Sequence, residues 1–265
     1  MSSDNRELFK SAARYYSKYR KGYPKELFDY LIRTFNLTSS SRVLDLGTGT
    51  GQIAISLSTH VQSIVAVDSE QEMLDEGKRM ANKEGFNNVE WIKIKAEDIS
   101  QELGSFRLTT IGAAFHWMDR EQALRKIYEV TENGGGIAII SDSRRGNAPN
   151  QGEDWKEVRK KVIEKYLGER RRAGNSFFDV GDDTFEDRLT DSPFGGYQVW
   201  NYDFTREWTL EEAVNFLYST SFASKRFFGD KLNEFEEELR SELLKLKPGG
   251  IFEEEVKLQV LTSKK

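Results

Sequence analysis

Short β-branched apolar runs alternate with amphipathic stretches between residues 41 and 141. The predicted strands are 42–46, 64–68, 89–95, 108–115 and 136–141. The predicted helices between them are 51–58, 70–84 and 119–130. Strands that alternate with helices favour βαβ units, and hence a mainly parallel, doubly wound α/β sheet.

Further elements flank this series. Helices are predicted at 7–19 and 24–35 before it, and at 155–167, 210–217 and 231–245 after it. The last strands, 197–204 and 254–261, can pair antiparallel at the end of the sheet. Residues 144–196 break the rhythm directly after the fifth strand, where ligands bind in open α/β folds. We therefore expect a lid or substrate-recognition insertion there.

The composition fits one globular domain. Hydrophobic residues make up 37% of the 265 residues and charged residues 31%, enough apolar side chains to fill a core. We expect a single domain, with a helical cap at 1–40, a cofactor-binding core at 41–141, the insertion at 144–196 and a C-terminal part at 197–265 that completes the sheet.

Charge and hydropathy exclude several partners. Because 39 basic and 44 acidic residues are mixed along the chain and give a net charge of -5, we expect no nucleic-acid partner. No apolar run approaches the roughly 20 residues that span a bilayer, and the first residues lack the pattern of a signal peptide. A cytoplasmic location without membrane contact is therefore the expectation.

The chain contains no cysteine and two histidines, His60 and His116. Disulfides, thiolate zinc sites and cysteine nucleophiles are therefore excluded, and we predict no metal site. We assign His60, in a loop between helix and strand, to the surface. Chemistry must come from a cofactor, carboxylates, aromatic rings or a lone histidine.

The most informative run enters a strand, crosses a glycine loop and opens a helix at residues 43–52. Gly47, Gly49 and Gly51 let the backbone turn tightly and approach a ligand. The dinucleotide fingerprint G-x-G-x-x-G would need a third glycine where Gln52 stands. The observed G-x-G-x-G spacing suits a ligand without a pyrophosphate, whose amino-acid and ribose portions cross the loop.

A carboxylate follows at the end of the second strand. Asp68 lies 21 residues after Gly47, where an acid can accept both ribose hydroxyls. Ser69 and Met73 follow in position to line the ribose and adenine. After the third strand, Asp98 can accept from the adenine amino group while neighbouring backbone groups contact the ring edge.

Together these residues resemble class I S-adenosylmethionine-dependent methyltransferases over about residues 41–141. The runs 16–24 (YSKYRKGYP), 114–119 (AFHWMD) and 168–174 (GERRRAG) are similar to the trans-aconitate methyltransferase-like branch of methyltransferase type 11 proteins. That branch commonly has Y-x-x-Y-R-P-x-Y-P, so Lys21 departs from its proline, and Thr48 replaces a frequent cysteine.

The resemblance implies a Rossmann-like, seven-stranded sheet with its last strand antiparallel, and bound S-adenosylmethionine. It also implies that Tyr16, Tyr19 and Arg20 cover the methionine end of the cofactor, although a packed helix face explains the tyrosine spacing equally well. The predicted cofactor-binding residues are Tyr16, Tyr19, Arg20, Asp45, Gly47, Thr48, Gly49, Gly51, Gln52, Asp68, Ser69, Met73, Ala96, Glu97, Asp98 and Phe115.

His116 follows the fourth strand on the edge where substrate is expected, and an imidazole can take a proton near neutral pH. We hypothesise that His116 is a catalytic residue that faces the substrate as a base or hydrogen-bonding group, with a buried, backbone-bonded histidine as the equal alternative. Trp117 is a candidate cavity wall. Arg171 and Arg172 are substrate candidates, although such charge runs are usually solvated.

The expected reaction is O-methylation of a small carboxylate-bearing molecule. C- or N-methylation, a nucleotide-dependent oxidoreductase and a non-catalytic S-adenosylmethionine-binding regulator remain open alternatives. Nothing in the sequence fixes the oligomeric state.

Overall fold

A computed structural model describes residues 11–142, 154–170, 172–173, 176–177 and 184–265. The helices are α1 (Ala13–Tyr19), α2 (Lys25–Phe35), α3 (Gln52–Leu57), α4 (Gln71–Glu84), α5 (Arg120–Val130), α6 (Asp154–Leu167), α7 (Phe185–Thr190), α8 (Leu210–Asn215) and α9 (Leu232–Leu246). The strands are β1 (Arg42–Leu46), β2 (Ser63–Asp68), β3 (Val89–Lys93), β4 (Phe106–Gly112), β5 (Thr131–Asp142), β6 (Arg172–Ala173), β7 (Ser176–Phe177), β8 (Gln198–Thr209) and β9 (Ile251–Lys264).

Seven of the described strands form one sheet in the order β3-β2-β1-β4-β5-β9-β8. The first five are parallel to one another, and β9 runs antiparallel to β5. The predicted doubly wound, seven-stranded fold is therefore confirmed. In the register, Leu46 pairs with Val67 and Asp45 with Thr110, so β1 ends beside β2 and β4.

Several predicted strand boundaries are wrong; the predicted strands 197–204 and 254–261, for example, are longer in the structure. The strand predicted to reach residue 115 ends at Gly112, because Ala113 turns into the left-handed region at φ 52°, and a short 3₁₀ turn, Phe115–Trp117, follows. The fifth strand begins at Thr131 rather than residue 136. Thr131 pairs with Phe106 across an irregularity in the ladder, which the sequence pattern does not reveal.

The chain forms two compact units. The first contains Met1–Lys21, Arg144–Val180 and Asp203–Val256, and the second contains Gly22–Ser143, Gly181–Tyr202 and Lys257–Lys265. Each has its own hydrophobic core. Leu44, Val65 and Ile111 belong to the core of the second unit, and Trp155 and Phe235 belong to that of the first.

Local sequence explains where the helices begin and end. In α2 the apolar residues Leu27, Leu31 and Phe35 recur every four residues and are fully buried, as expected of an amphipathic helix. Asn36 ends that helix in the left-handed conformation. In the part of the chain that the structure describes, no helix combines the length and apolar character that crossing a bilayer requires.

Candidate functional site

The glycine loop leaves the end of β1 in the second unit. Gly47, Gly49 and Gly51 have φ values of 64°, 55° and 80°, a region that costs other residues roughly 1–2 kcal/mol each. The Thr48 N–H donates to the Val67 carbonyl at 3.0 Å, and the Gly51 N–H donates to the Thr48 carbonyl at 2.9 Å. The three glycines therefore allow a tight turn that is tied to the neighbouring strand.

Protein side chains occupy the space beside two of these glycines. A Cβ on Gly47 would lie 2.4 Å from the Ala114 Cβ, and a Cβ on Gly51 would lie 2.4 Å from the Trp91 ring. Both distances are far below the usual 3.5–4.0 Å between carbons. Close packing within the protein thus requires these glycines, in addition to the ligand approach that the sequence suggests.

Asp45 lies beneath the loop and is 1% exposed. The Thr48 hydroxyl donates to its Oδ2 at 2.6 Å, and the Thr110 hydroxyl donates to its Oδ1 at 2.7 Å. Burial raises the pKa of the Asp45 carboxyl to about 6, against the effect of these donors. The carboxyl therefore joins the loop to β4, and its contact with a cofactor stays a prediction.

Asp68 ends β2 and binds the loop directly. The Gly49 N–H donates to its Oδ2 at 2.8 Å, and the Glu70 N–H donates to its Oδ1 at 2.9 Å. Burial raises the pKa of the Asp68 carboxyl, although these N–H groups act in the opposite direction. The Ser69 backbone also donates to this carboxylate, and because a carboxylate has about four acceptor positions, it can still accept from a ribose hydroxyl.

The residues that follow Asp68 differ in exposure. Ser69 is exposed, whereas Met73, in the first turn of α4, is 1% exposed. Gln52 opens α3 directly after the loop and is partly exposed. Ligand contacts for these three residues stay predictions.

The three predicted residues in the turn after β3 differ in exposure and in hydrogen bonding. Ala96 is buried, whereas Asp98 is exposed, as an acceptor for an adenine amino group would need to be. The Glu97 carboxylate accepts from the Asp119 N–H at 2.6 Å, so it fixes the start of α5. A structural role for Glu97 is thus added to its predicted cofactor contact.

The segment after β4 carries the catalytic candidate. The Ala113 N–H donates to the Ile140 carbonyl at 2.9 Å, which holds the left-handed turn in place. His116 is partly exposed, and its ring centroid lies 4.5 Å from that of Trp117. Phe115 is 1% exposed and packs edge to face on Phe185 at 5.1 Å, a position in the core.

Two aromatic residues near the loop are absent from the predicted site residues. A Cβ on Gly112 would lie 2.8 Å from the Tyr23 hydroxyl oxygen, so Tyr23 reaches the carboxyl end of β4. Trp91 packs against both Gly51 and Gly77. The Y-x-x-Y-R-K-G-Y-P run contained a signal for Tyr23, because it ends in that tyrosine, whereas the sequence held no signal for Trp91.

Three predicted cofactor-binding residues, Tyr16, Tyr19 and Arg20, belong to the first unit. The Arg20 Nε donates to the Ser219 hydroxyl at 3.0 Å, and its guanidinium lies 4.7 Å from the Tyr16 ring and 4.9 Å from the Phe216 ring. Tyr19 stacks with its neighbour Tyr15 at 6.1 Å. Their cofactor contacts stay predictions.

The predicted substrate arginines are described only in part. Arg171 lies outside the described residues. For Arg172 the structure describes only the backbone, which belongs to β6. Their substrate contacts therefore stay predictions as well.

The fold and the loop are typical of doubly wound proteins that bind nucleoside-containing ligands at the carboxyl ends of their strands. Residues 43–135 match the methyltransferase domain family. An uncharacterized methyltransferase-like protein of Schizosaccharomyces pombe is 28% identical over 220 residues, which cover 83% of this chain and 79% of that protein.

Bacillus subtilis supplies a second relative, the uncharacterized methyltransferase YcgJ. It is 31% identical over 111 residues, or 42% of this chain and 44% of that protein. The match to its crystal structure covers 91% of this chain and 99% of that chain, at 17% identity and a TM-score of 0.55. This likeness shows the fold. The family match and these relatives support a class I S-adenosylmethionine-dependent methyltransferase and disfavour the oxidoreductase.

Proposed function

We propose that the protein methylates a small molecule that bears a carboxylate, and that Asp68 and the glycine loop hold the cofactor. The observation that carries the cofactor assignment is the pair of backbone N–H groups, from Gly49 and Glu70, that fix the two Asp68 oxygens. A carboxylate fixed in this way is oriented before a ligand arrives, which lowers the entropic cost of binding.

S-adenosylmethionine supplies a methyl group that its sulfonium already activates. The protein residues then have to bind the cofactor, orient the acceptor behind the methyl carbon and exclude water. Such positioning can contribute on the order of 7–11 kcal/mol to catalysis. The turn at Ala113, held by the Ile140 carbonyl, supports a fixed position for the residues that follow β4.

His116 is the proposed base for an acceptor that must lose a proton. An imidazole changes charge near neutral pH, and the side chain is partly exposed, beside Trp117. A deprotonated carboxylate would need no base, so a large effect of His116 would favour an acceptor that carries a hydroxyl or amine proton.

The class of acceptor rests on two further points. Mixed charges with a net value of -5 argue against a nucleic-acid acceptor, which favours a small molecule. The preference for a carboxylate comes from the resemblance to the trans-aconitate methyltransferase-like branch. Because O-, C- and N-methylation add the same mass, carbon NMR of a labelled methyl group in the product would distinguish them.

Calorimetry with S-adenosylhomocysteine tests the cofactor assignment. Asp68→Ala should weaken binding at least tenfold, since hydrogen bonds to a charged group contribute about 1.5–3 kcal/mol. Gly49→Val should weaken it too, because valine cannot adopt φ 55° without strain. Unchanged affinity in both folded variants would refute the assignment.

The role of His116 needs a separate measurement. Methyl transfer from radiolabelled S-adenosylmethionine should fall in His116→Ala by about 10²–10⁴-fold for small acids whose accepting hydroxyl or amine must lose a proton. The affinity for S-adenosylhomocysteine should stay the same. An unchanged rate would remove His116 from the mechanism.

A further inference from the structure

A cavity of about 330 Å³ lies within the first unit, along α6. That volume is at the lower end of the range for small-molecule sites. Its cationic lining residues are Lys156, Arg159, Lys160 and Arg170. Two carboxylates, Glu164 and Glu169, also line it. Lys156 is paired with Glu254 and Lys160 with Glu164, so the case for an anionic ligand depends on Arg159.

Arg159 differs from the other cations of the cavity in its surroundings. Arg159 is half-buried, and its guanidinium lies 5.0 Å from the Trp155 ring and 5.3 Å from the Phe216 ring. For the described part of the chain, the structure gives Arg159 neither an ion pair nor a hydrogen bond. Burial, and then the like charge of Arg20, lowers the pKa of Arg159 to about 10, against the opposing charge of Glu254.

The nearby buried carboxylate is already engaged. Glu254 is 8% exposed, and the Lys156 ammonium donates to its Oε1 at 2.6 Å. The Trp208 indole donates to its Oε2 at 2.7 Å. Both oxygens therefore have a donor, and Arg159 keeps a positive charge that is half-buried and has no counterion in contact. An anion from solution would compensate such a charge.

The remaining walls of the cavity are apolar. Ile163 and Leu167 continue the face of α6 that begins with Lys156 and Arg159, since spacings of three and four residues share one side of a helix. Phe222 lines the same cavity. A ligand that fits this lining carries an anionic group at one end and a hydrocarbon portion beside it.

We propose that this cavity binds a small carboxylate with a hydrocarbon portion, and that Arg159 holds the carboxylate group. The planar guanidinium can donate two parallel hydrogen bonds to a carboxylate. The link to methyl transfer rests on the proposed function, because that function expects an acceptor of this class. The binding itself is measured without the cofactor.

Calorimetry with octanoate and octanol tests the proposal. Octanoate should bind the full-length protein at least tenfold more tightly than octanol, which has the same hydrocarbon chain without the charge. Arg159→Leu should weaken octanoate binding at least tenfold and leave octanol binding nearly unchanged. Arg159→Lys, which keeps the charge but loses the planar fork, should fall between. Arg125→Leu is the matched control, because Arg125 is an exposed arginine paired with Glu121 on α5.

Several outcomes would overturn the proposal. Equal affinities for octanoate and octanol, or unchanged octanoate affinity in Arg159→Leu, would exclude carboxylate recognition by Arg159. Tighter binding of octyl phosphate than of octanoate would assign the cavity to a phosphate ester. A melting curve establishes that each variant is folded, and Arg159→Gln replaces the leucine variant if that one unfolds. If the wild-type protein binds octanoate but does not bind S-adenosylhomocysteine, the proposed function is refuted and the carboxylate site is not.

Discussion

Gly77→Ala is expected to destabilise the protein, although the same change in most helices is stabilising. Gly77 lies inside α4, where alanine normally gains about 0.5–1 kcal/mol over glycine. A Cβ at this position, however, would lie 2.4 Å from Cζ3 and 2.6 Å from Cη2 of Trp91, and 3.1 Å from the Thr50 carbonyl carbon.

Overpacking determines the sign of the effect. Atoms forced into a packed core typically cost 1–3 kcal/mol, which exceeds the helix gain, so we expect a net loss of about 1–2 kcal/mol. For a chain of this size the melting temperature should fall by about 2–8 °C. Because Thr50 lies in the glycine loop between Gly49 and Gly51, the affinity for S-adenosylhomocysteine should fall as well.

Differential scanning calorimetry and titration calorimetry measure the two effects. The informative control is the double-mutant cycle with Trp91→Leu, in which most of the clash is removed. In that background Gly77→Ala should cost at least about 1 kcal/mol less than in wild type. A higher melting temperature for Gly77→Ala alone, or no coupling to Trp91, would refute the packing argument.

Three further substitutions test other parts of the structure. Ala113→Gly removes a Cβ from φ 52° and should stabilise by about 0.5–1 kcal/mol in urea denaturation; a loss would contradict strain there. Because the pKa of Asp45 is raised to about 6, its charge destabilises the fold as pH rises from about 4 to 6. Asp45→Asn should therefore gain roughly 1–3 kcal/mol at pH 7.5 and little at pH 4, and a pH-independent effect would disprove this. Although burial opposes it, Lys156 lowers the pKa of Glu254, so Lys156→Met should cost about 3 kcal/mol at pH 7.5. That loss should shrink at pH 4, where Glu254 is protonated in the variant, and an equal loss at both pH values would contradict the ion-pair explanation.

Much of the sheet was predictable because its signals are local. The predicted strand 42–46 coincides with β1, and the predicted helix 70–84 differs from α4 by one residue. Element ends were less predictable where a distant contact sets them. Ala113 ends β4 by a turn bonded to Ile140, and alanine gives no signal for a left-handed conformation.

The candidate site was likewise predictable only in part. Gly49 and Asp68 were identified from spacing, and the structure joins them by a 2.8 Å hydrogen bond. The spacing could not reveal that Asp45 is buried beneath the loop, or that Phe115 packs in the core against Phe185. Burial depends on elements that arrive later in the chain, so a motif alone does not determine it.

The sequence by itself determined the βαβ order, the glycine loop and the acid at the end of β2, because periodicity, backbone freedom and strand ends are properties of neighbouring residues. Only the tertiary structure decided what lies beside those residues. Trp91 against Gly51 and Gly77, Tyr23 at Gly112, and Arg159 between the rings of Trp155 and Phe216 are contacts that the packing of separate elements creates. The physical reason is that such contacts depend on how elements distant in sequence fill the same volume, which local patterns do not encode.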